Sequence, residues 1–251
     1  MNSMESHMNP QFDKAILGIA QAYGPYQFWQ ENMFPGSNPD ATWRCLMVIA
    51  ALKDIAFVEQ ALVLLKSQDS RVRAWACYYL GSITHQPAAD RLFTLTNDPS
   101  PRVRHHARHA LSQFQPGIDR DPRQNRRISH IEFQVLISDD SQKGRQQISL
   151  LLRRRGFTTH TASTEKETIT MAEKIKPEVI ITDNQKGRDN LSGLNMTWDL
   201  CRNPKLRETI LIMLTADEVE PIFLWQGGDY FLNKLRYGGA QLGPALEMYM
   251  K

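Results

Sequence analysis

The sequence has few cysteines and no arrangement of them. Its three, Cys45, Cys77 and Cys201, lie far apart and none sits in a CxxC pair. That spacing excludes a disulfide framework and a zinc site. All three read as buried core thiols of a protein in a reducing cytoplasm. Long apolar runs are missing too: none approaches the ~18 residues of a membrane span, and no signal peptide is visible. Nor is there an excess of one charge. Residues 1–130 hold 14 Lys+Arg against 11 Asp+Glu and residues 131–251 hold 16 against 16, so the whole +3 falls in the first half. This is far from the basic footprint of a nucleic-acid binder. What remains is ordinary globular protein, 41% hydrophobic and 23% charged, whose 251 residues suffice for two domains. Met1–Met8 reads in part as a cloning remnant and carries no fold argument.

The first half also lacks any sustained period-two alternation. Between Gly24-Pro25, Pro35-Gly36, Pro39, Pro87, Pro99 and Pro101, apolar residues recur at helical spacing. Leu46, Ile49, Ala50 and Lys53 trace one stripe, Val58, Leu62 and Leu65 a second, Val72, Ala76, Tyr79 and Leu80 a third. An internal repeat is present. The segment from Asp69 through Arg71-Val72-Arg73 to Leu80-Gly81 returns 31 residues later, with Arg102-Val103-Arg104, Ala107 and Leu111 in the matching places. Ala88, Leu92 and Leu95 repeat Val58, Leu62 and Leu65, and a degenerate earlier copy runs from Asp40 to Leu52. A helix-turn-helix period near 30 means a solenoid, because one such hairpin cannot bury its own apolar face. The pattern resembles HEAT-like repeats, of the short kind seen in phycobilisome-lyase-type proteins. The resemblance speaks for architecture and hardly for function.

Residues 116–130 are polar and charged, with two prolines, and read as a linker between a helical domain at 9–115 and a second domain at 131–251. The second domain alternates strand and helix. Phe133–Ile137, Val179–Thr182 and Ile210–Leu214 are short apolar runs, with Thr158–Thr161 and Asp229–Leu235 as further strands. A helix over Gln142–Arg155 would end at Gly156. Runs buried on both faces and separated by helices predict a five-stranded parallel sheet, doubly wound.

In such a sheet the ligand site lies at the carboxyl ends of the strands. Asp139 and Asp140 follow the first strand, Asp183 the third and Thr215 the fourth, while Lys234 lies in the fifth. Carboxylates with little neutralisation make a hard oxygen site suited to Mg²⁺. Asp183 can attack as a carboxylate nucleophile, Thr215 can donate to a phosphoryl oxygen, Lys234 can pair with it, and the small Ala216 leaves room for the group.

This set is similar to the receiver domain of two-component response regulators, over essentially all of residues 131–251. Val135–Asp140, Lys176–Asp183, Leu214-Thr215-Ala216 and Gly227–Lys234 carry the likeness. It implies a flavodoxin-like fold, Mg²⁺ on Asp139, Asp140 and Asp183, phosphorylation of Asp183, and Thr215 and Phe231 reporting the phosphoryl group to the outer face. Three departures stand out, the first a connection from Asp183 to Gly193 that is longer than the family's. The connection between Thr215 and Lys234 is short, so the fourth helix, near Glu218–Trp225, must be stunted. Leu235 stands where the family commonly has proline.

Arg71, Arg73, Arg102 and Arg104, with His105, His106, Arg108 and His109, form the one basic cluster. Such arginines more often cover the next repeat and meet an acid such as Asp69 or Asp98 than face a phosphate backbone. Trp29, Trp43, Trp75, Tyr78 and Tyr79 read as core. The resulting reading is a cytoplasmic response regulator and not an enzyme. A histidine kinase or phosphotransfer protein would serve Asp183, and an unidentified protein would meet the repeats; nucleic acid and membrane are disfavoured. A pseudo-receiver scaffold that takes no phosphate, nucleic-acid binding through the arginine ridge, and a lyase-like enzyme are the alternatives, the last without a visible catalytic set.

Overall fold

The computed structural model describes residues 10–23, 38–114, 133–184, 193–237, 242–243 and 246. The chain divides into two compact units, Met1–Asn125 and Arg126–Lys251. The expected linker at 116–130, Trp29 and most of the connection after Asp183 lie outside the described residues.

The first unit is helical: α1 (Pro10–Tyr23), α2 (Pro39–Leu52), α3 (Val58–Leu64), α4 (Ser70–Ser82), α5 (Ala89–Leu95) and α6 (Pro101–Phe114). Two of these starts have a side-chain cap. Asn38 accepts the Asp40 N–H ahead of α2, whose first residue is proline, and Asp69 accepts the Arg71 and Val72 N–H groups ahead of α4; such caps contribute about 1 kcal/mol each. The repeat positions Val72, Ala76 and Leu80 of α4 and Val103 and Ala107 of α6 are fully buried, while Leu111, the counterpart of Leu80, is half-buried and the neighbouring Ala110 takes the core place. Helices α4 and α6 approach so closely that a Cβ at Gly81 would lie 2.6 Å from the Ala110 Cα. Lys53 does not continue the α2 stripe. It takes a left-handed conformation (φ 52°) that ends the helix and stays exposed. Of the cysteines, Cys45 and Cys77 are buried, and burial pushes the Cys45 thiol up to about 12. Cys201 is only half-buried, because it lies near the end of a helix that covers one face of the second unit's sheet.

The second unit holds β1 (Gln134–Ser138), α7 (Gln142–Arg153), β2 (Thr158–Ala162), α8 (Glu165–Ile175), β3 (Val179–Thr182), α9 (Gly193–Arg202), β4 (Ile210–Thr215), α10 (Glu220–Trp225), β5 (Tyr230–Asn233) and α11 (Lys234–Tyr237). All strand pairs are parallel, in the order β2-β1-β3-β4-β5. Every residue of β3 and β4 is buried, as expected of strands covered on both faces. Val135, Ile137, Val179, Ile181, Ile210, Ile212 and Leu232 form the core with Leu152 and Phe157. Strand bounds shift by one residue in several places, and two ends fall two residues short of expectation. Helix α7 ends at Arg153, after which Gly156 turns the chain at φ 87°. Strand β5 stops at Asn233, because the Asn233 side chain accepts the Leu235 N–H and starts a helix there. Lys234 therefore opens α11 instead of lying in a strand. The fourth helix, α10, is short, at six residues.

Candidate functional site

The order of the strands reverses between β1 and β3, and the crevice at their carboxyl ends is where an open parallel sheet binds ligands. Asp139, the first residue past β1, is 6% exposed. Its carboxylate folds onto the start of α7 and accepts the Ser141 N–H at 2.8 Å, while the Ser141 side chain caps Gly144. Gly144 lets the carboxylate lie this close: a Cβ there would sit 2.8 Å from the Asp139 Oδ2 and push it aside. Arg145 Nη1 donates to the carbonyls of Asp139 (2.6 Å) and Asp140 (3.0 Å) and so holds the acidic pair from behind. Asp140 itself is exposed.

Asp183 follows β3 and is aligned with the end of β1 by its N–H bond to the Ser138 carbonyl. Its Oδ1 accepts the Asn184 N–H at 2.8 Å, and its Oδ2 takes the Lys234 ammonium at 2.5 Å. The same ammonium lies 3.6 Å from the Asp139 Oδ2. One cation thus spans two carboxylates brought together from positions 139 and 183. Burial raises the pKa of Asp139, and the charges of Asp183 and Asp140 add to it, against the Ser141 N–H and Lys234. The pocket holds more negative charge than Lys234 neutralises.

Thr215 ends β4, is buried, and its Oγ1 accepts the Asp217 N–H at 3.3 Å; Ala216 follows it. Phe231 is half-buried on β5, with its ring centroid 6.4 Å from that of Phe223.

Residues 28–122 match the family model of HEAT repeats, and residues 135–234 match that of the response regulator receiver domain. The chain is a HEAT-repeat unit followed by a receiver domain. No curated protein matches it. Among solved structures it is similar to the chemotaxis response regulator CheY4 of Vibrio cholerae, at 25% identity over 47% of this chain and 98% of that one, with a TM-score of 0.42. It is also similar to the receiver domain of a signal transduction histidine kinase from Syntrophus aciditrophicus, at 22% identity over 47% and 89%, with a TM-score of 0.42. A third is the response regulator TrrA from Thermotoga maritima, in complex with Mg²⁺ and BeF, at 19% over 47% and 98%, with a TM-score of 0.41. A receiver is a domain of two-component signalling, and its model accounts for residues 135–234 of this chain.

In the receiver, the donors offered by Asp139, Asp140 and Asp183 are all hard oxygens, and a single ammonium, that of Lys234, pairs with Asp139 and Asp183; such a set fits a divalent cation such as Mg²⁺. Among the described residues no group of three or more His, Cys, Asp or Glu side chains is drawn together as a metal cluster, and the Lys234 ammonium stands between Asp183 and Asp139.

The HEAT arginines are placed differently from a surface ridge. Arg71 and Arg102 are 4% and 1% exposed, and Arg102 donates to the Ser70 Oγ at 2.9 Å. Arg73 makes a two-pronged pair with Asp98, at 2.9 Å in each prong, and also reaches the Ser67 and Gln68 carbonyls. Arg104 reaches the Asp98 and Pro99 carbonyls. Arg73 and Arg104, equivalent in the two repeats, thus tie turn to helix, because the turns bring carbonyls and a carboxylate back to them.

Five residues of the receiver site were given no role from the sequence. Arg145 positions the acidic pair, Asn184 Nδ2 donates to Asp217 Oδ2 at 2.8 Å, and Asn233 Nδ2 donates to Glu218 Oε1 at 3.2 Å. The signal available was proximity: Asn184 adjoins Asp183, and Asp217 is two residues past Thr215.

Proposed function

We propose that this protein is a response regulator phosphorylated on Asp183, with residues 131–251 as the phosphoryl-accepting domain and the HEAT repeats, residues 9–115, as a protein-interaction output. The observation that carries the reading is Lys234, whose ammonium holds the carboxylates of Asp183 and Asp139 at one point on the rim.

An Asp183 carboxylate oxygen bonds to phosphorus, the bond to the donor nitrogen of a histidine kinase or phosphotransfer protein breaks, and the leaving imidazole nitrogen takes a proton from solvent. Lys234 releases Asp183 Oδ2 and pairs with a phosphoryl oxygen; Thr215 gives up the Asp217 N–H and donates to another. Mg²⁺, held by Asp139, Asp140 and Asp183, would supply neutralisation of the phosphoryl charge. The movement of Thr215 frees space that Phe231 can follow, which biases a two-state outer face. With Arg73 and Arg104 bonded to their own turns and Arg71 and Arg102 buried, the unit's outer surface is better suited to a protein than to a phosphate backbone. The reducing cytoplasm suits the free thiols.

The test is incubation of the full chain with Mg²⁺ and a small phosphodonor, read by intact mass, with Asp183→Asn alongside. Gain of one phosphoryl group by the native chain and none by the variant is the expected result. No gain by either folded protein would leave a pseudo-receiver scaffold.

A further inference from the structure

One buried amide joins the two segments of the receiver site that phosphoryl capture would move. Asn233 is the last residue of β5 and is 4% exposed. Its Oδ1 accepts the Leu235 N–H at 2.8 Å, a donor that exists only because position 235 is not proline. Its Nδ2 donates to the Glu218 Oε1 at 3.2 Å. The partners fix the amide in one orientation, because a backbone N–H only donates and a carboxylate only accepts.

Glu218 lies three residues past Thr215, in the connection from β4 to α10. Thr215 is itself the register partner of Asn233 across β4 and β5, and its Oγ1 accepts the Asp217 N–H. The start of this connection is therefore held to β5 twice, by strand pairing at Thr215 and by the amide at Glu218. On its other side Asn233 adjoins Lys234, whose ammonium sits on Asp183 and Asp139. The phosphoryl capture proposed for Asp183 takes Thr215 off the Asp217 N–H and Lys234 off the Asp183 Oδ2. Strand β4 lies between β3 and β5, so a shift of Thr215 toward Asp183 carries Glu218 away from Asn233.

We infer that the bond between Asn233 and Glu218 is a clamp on the resting arrangement, and that its strength sets how readily the site takes a phosphoryl group. The inference rests on phosphorylation of Asp183. Both are positioning residues, acting through Lys234 and Thr215. The clamp can bias the two arrangements only by the worth of its own bond. Glu218 is exposed, so water competes for its carboxylate, and one such bond corresponds to about a fivefold change in an equilibrium.

The experiment measures, by calorimetry on the full chain in saturating Mg²⁺, the affinity for beryllium fluoride, a mimic of a phosphoryl group on a carboxylate. Glu218→Gln and Glu218→Ala carry the same charge, but only glutamine keeps an oxygen for the Asn233 NH₂. Glu218→Ala should bind about fivefold more tightly than Glu218→Gln. Asn233→Asp keeps an acceptor for the Leu235 N–H and reverses the polarity of the clamp. In that background Glu218→Gln offers its NH₂ to the new carboxylate. Asn233→Asp/Glu218→Ala should therefore again bind about fivefold more tightly than Asn233→Asp/Glu218→Gln. Equal affinities within either charge-matched pair would overturn the inference and leave the phosphorylation reading standing. No binding by the native chain would overturn both.

Discussion

Both units use an arginine to reach back from a helix to the turn before it, but to different ends. Arg73 lies four residues past the cap Asp69 and Arg145 four past the cap Ser141; each donates to the carbonyls five and six residues earlier, as Arg104 does. In the repeats the neighbouring acids are fully occupied. Asp69 caps α4, and Asp98 takes both prongs of Arg73 together with the Ser100 N–H. In the receiver the arginine holds only carbonyls, and the acidic side chains beside it face one ammonium from Lys234. Balanced charge buried against its own turn is architecture. Charge left in excess at a strand end is available for chemistry.

The largest expected effect tests the architectural half. Gly81→Ala forces a Cβ onto the Ala110 backbone and should destabilise the repeats by about 3 kcal/mol. Hydrogen exchange on the full chain should show lost protection in α4 and α6, with β1 to β5 unchanged. Next, Arg73→Ala strands Asp98 and should cost the repeats about 2 kcal/mol. Arg145→Ala loses two neutral acceptors and should cost about 1 kcal/mol, yet it alone should lower phosphoryl loading. If both variants affected loading equally, the comparison would fail.

Asp139→Asn should act in the opposite direction. Its carboxyl is raised in the folded state, so its contribution to stability is greatest below the unfolded value, near pH ~3.9, and is lost as pH rises through the folded value. The variant should therefore melt higher than the native chain at neutral pH, converge with it in acid, and lose phosphoryl loading. The smallest effect lies in the repeats. Burial lowers the pKa of His109, which stacks on Tyr78 at 6.0 Å between ring centroids. Stability from the neutral ring is present above its unfolded value, near pH ~6.5, and is lost as pH falls through the folded one. His109→Phe should flatten that part of a melting-temperature profile against pH.

Much of this was legible in the sequence wherever the pattern is local. Val179–Thr182 is apolar and β-branched, so the next polar residue, Asp183, had to emerge at a strand end. The repeated Arg-Val-Arg with alanine and leucine at helical spacing defined α4 and α6 as equivalent. The fate of the arginines was legible only as an expectation, because Asp98, the partner of Arg73, lies 25 residues away. The place of Lys234 was misread by one element, since a side-chain bond from Asn233 ends β5. Asn184 and Asp217, 33 residues apart, carry no joint signal until β3 and β4 pair.

By itself the sequence determined the order of helices and strands, the repeat, and which polar residues follow the buried runs, because periodicity and capping act over a few residues. Only the tertiary structure decided which charges cancel. It folds Asp139 over Gly144, carries Lys234 to Asp183 across 51 residues, and closes Asp98 on Arg73. Electrostatic balance depends on distances of a few ångströms, and those are set by packing between elements rather than by order along the chain.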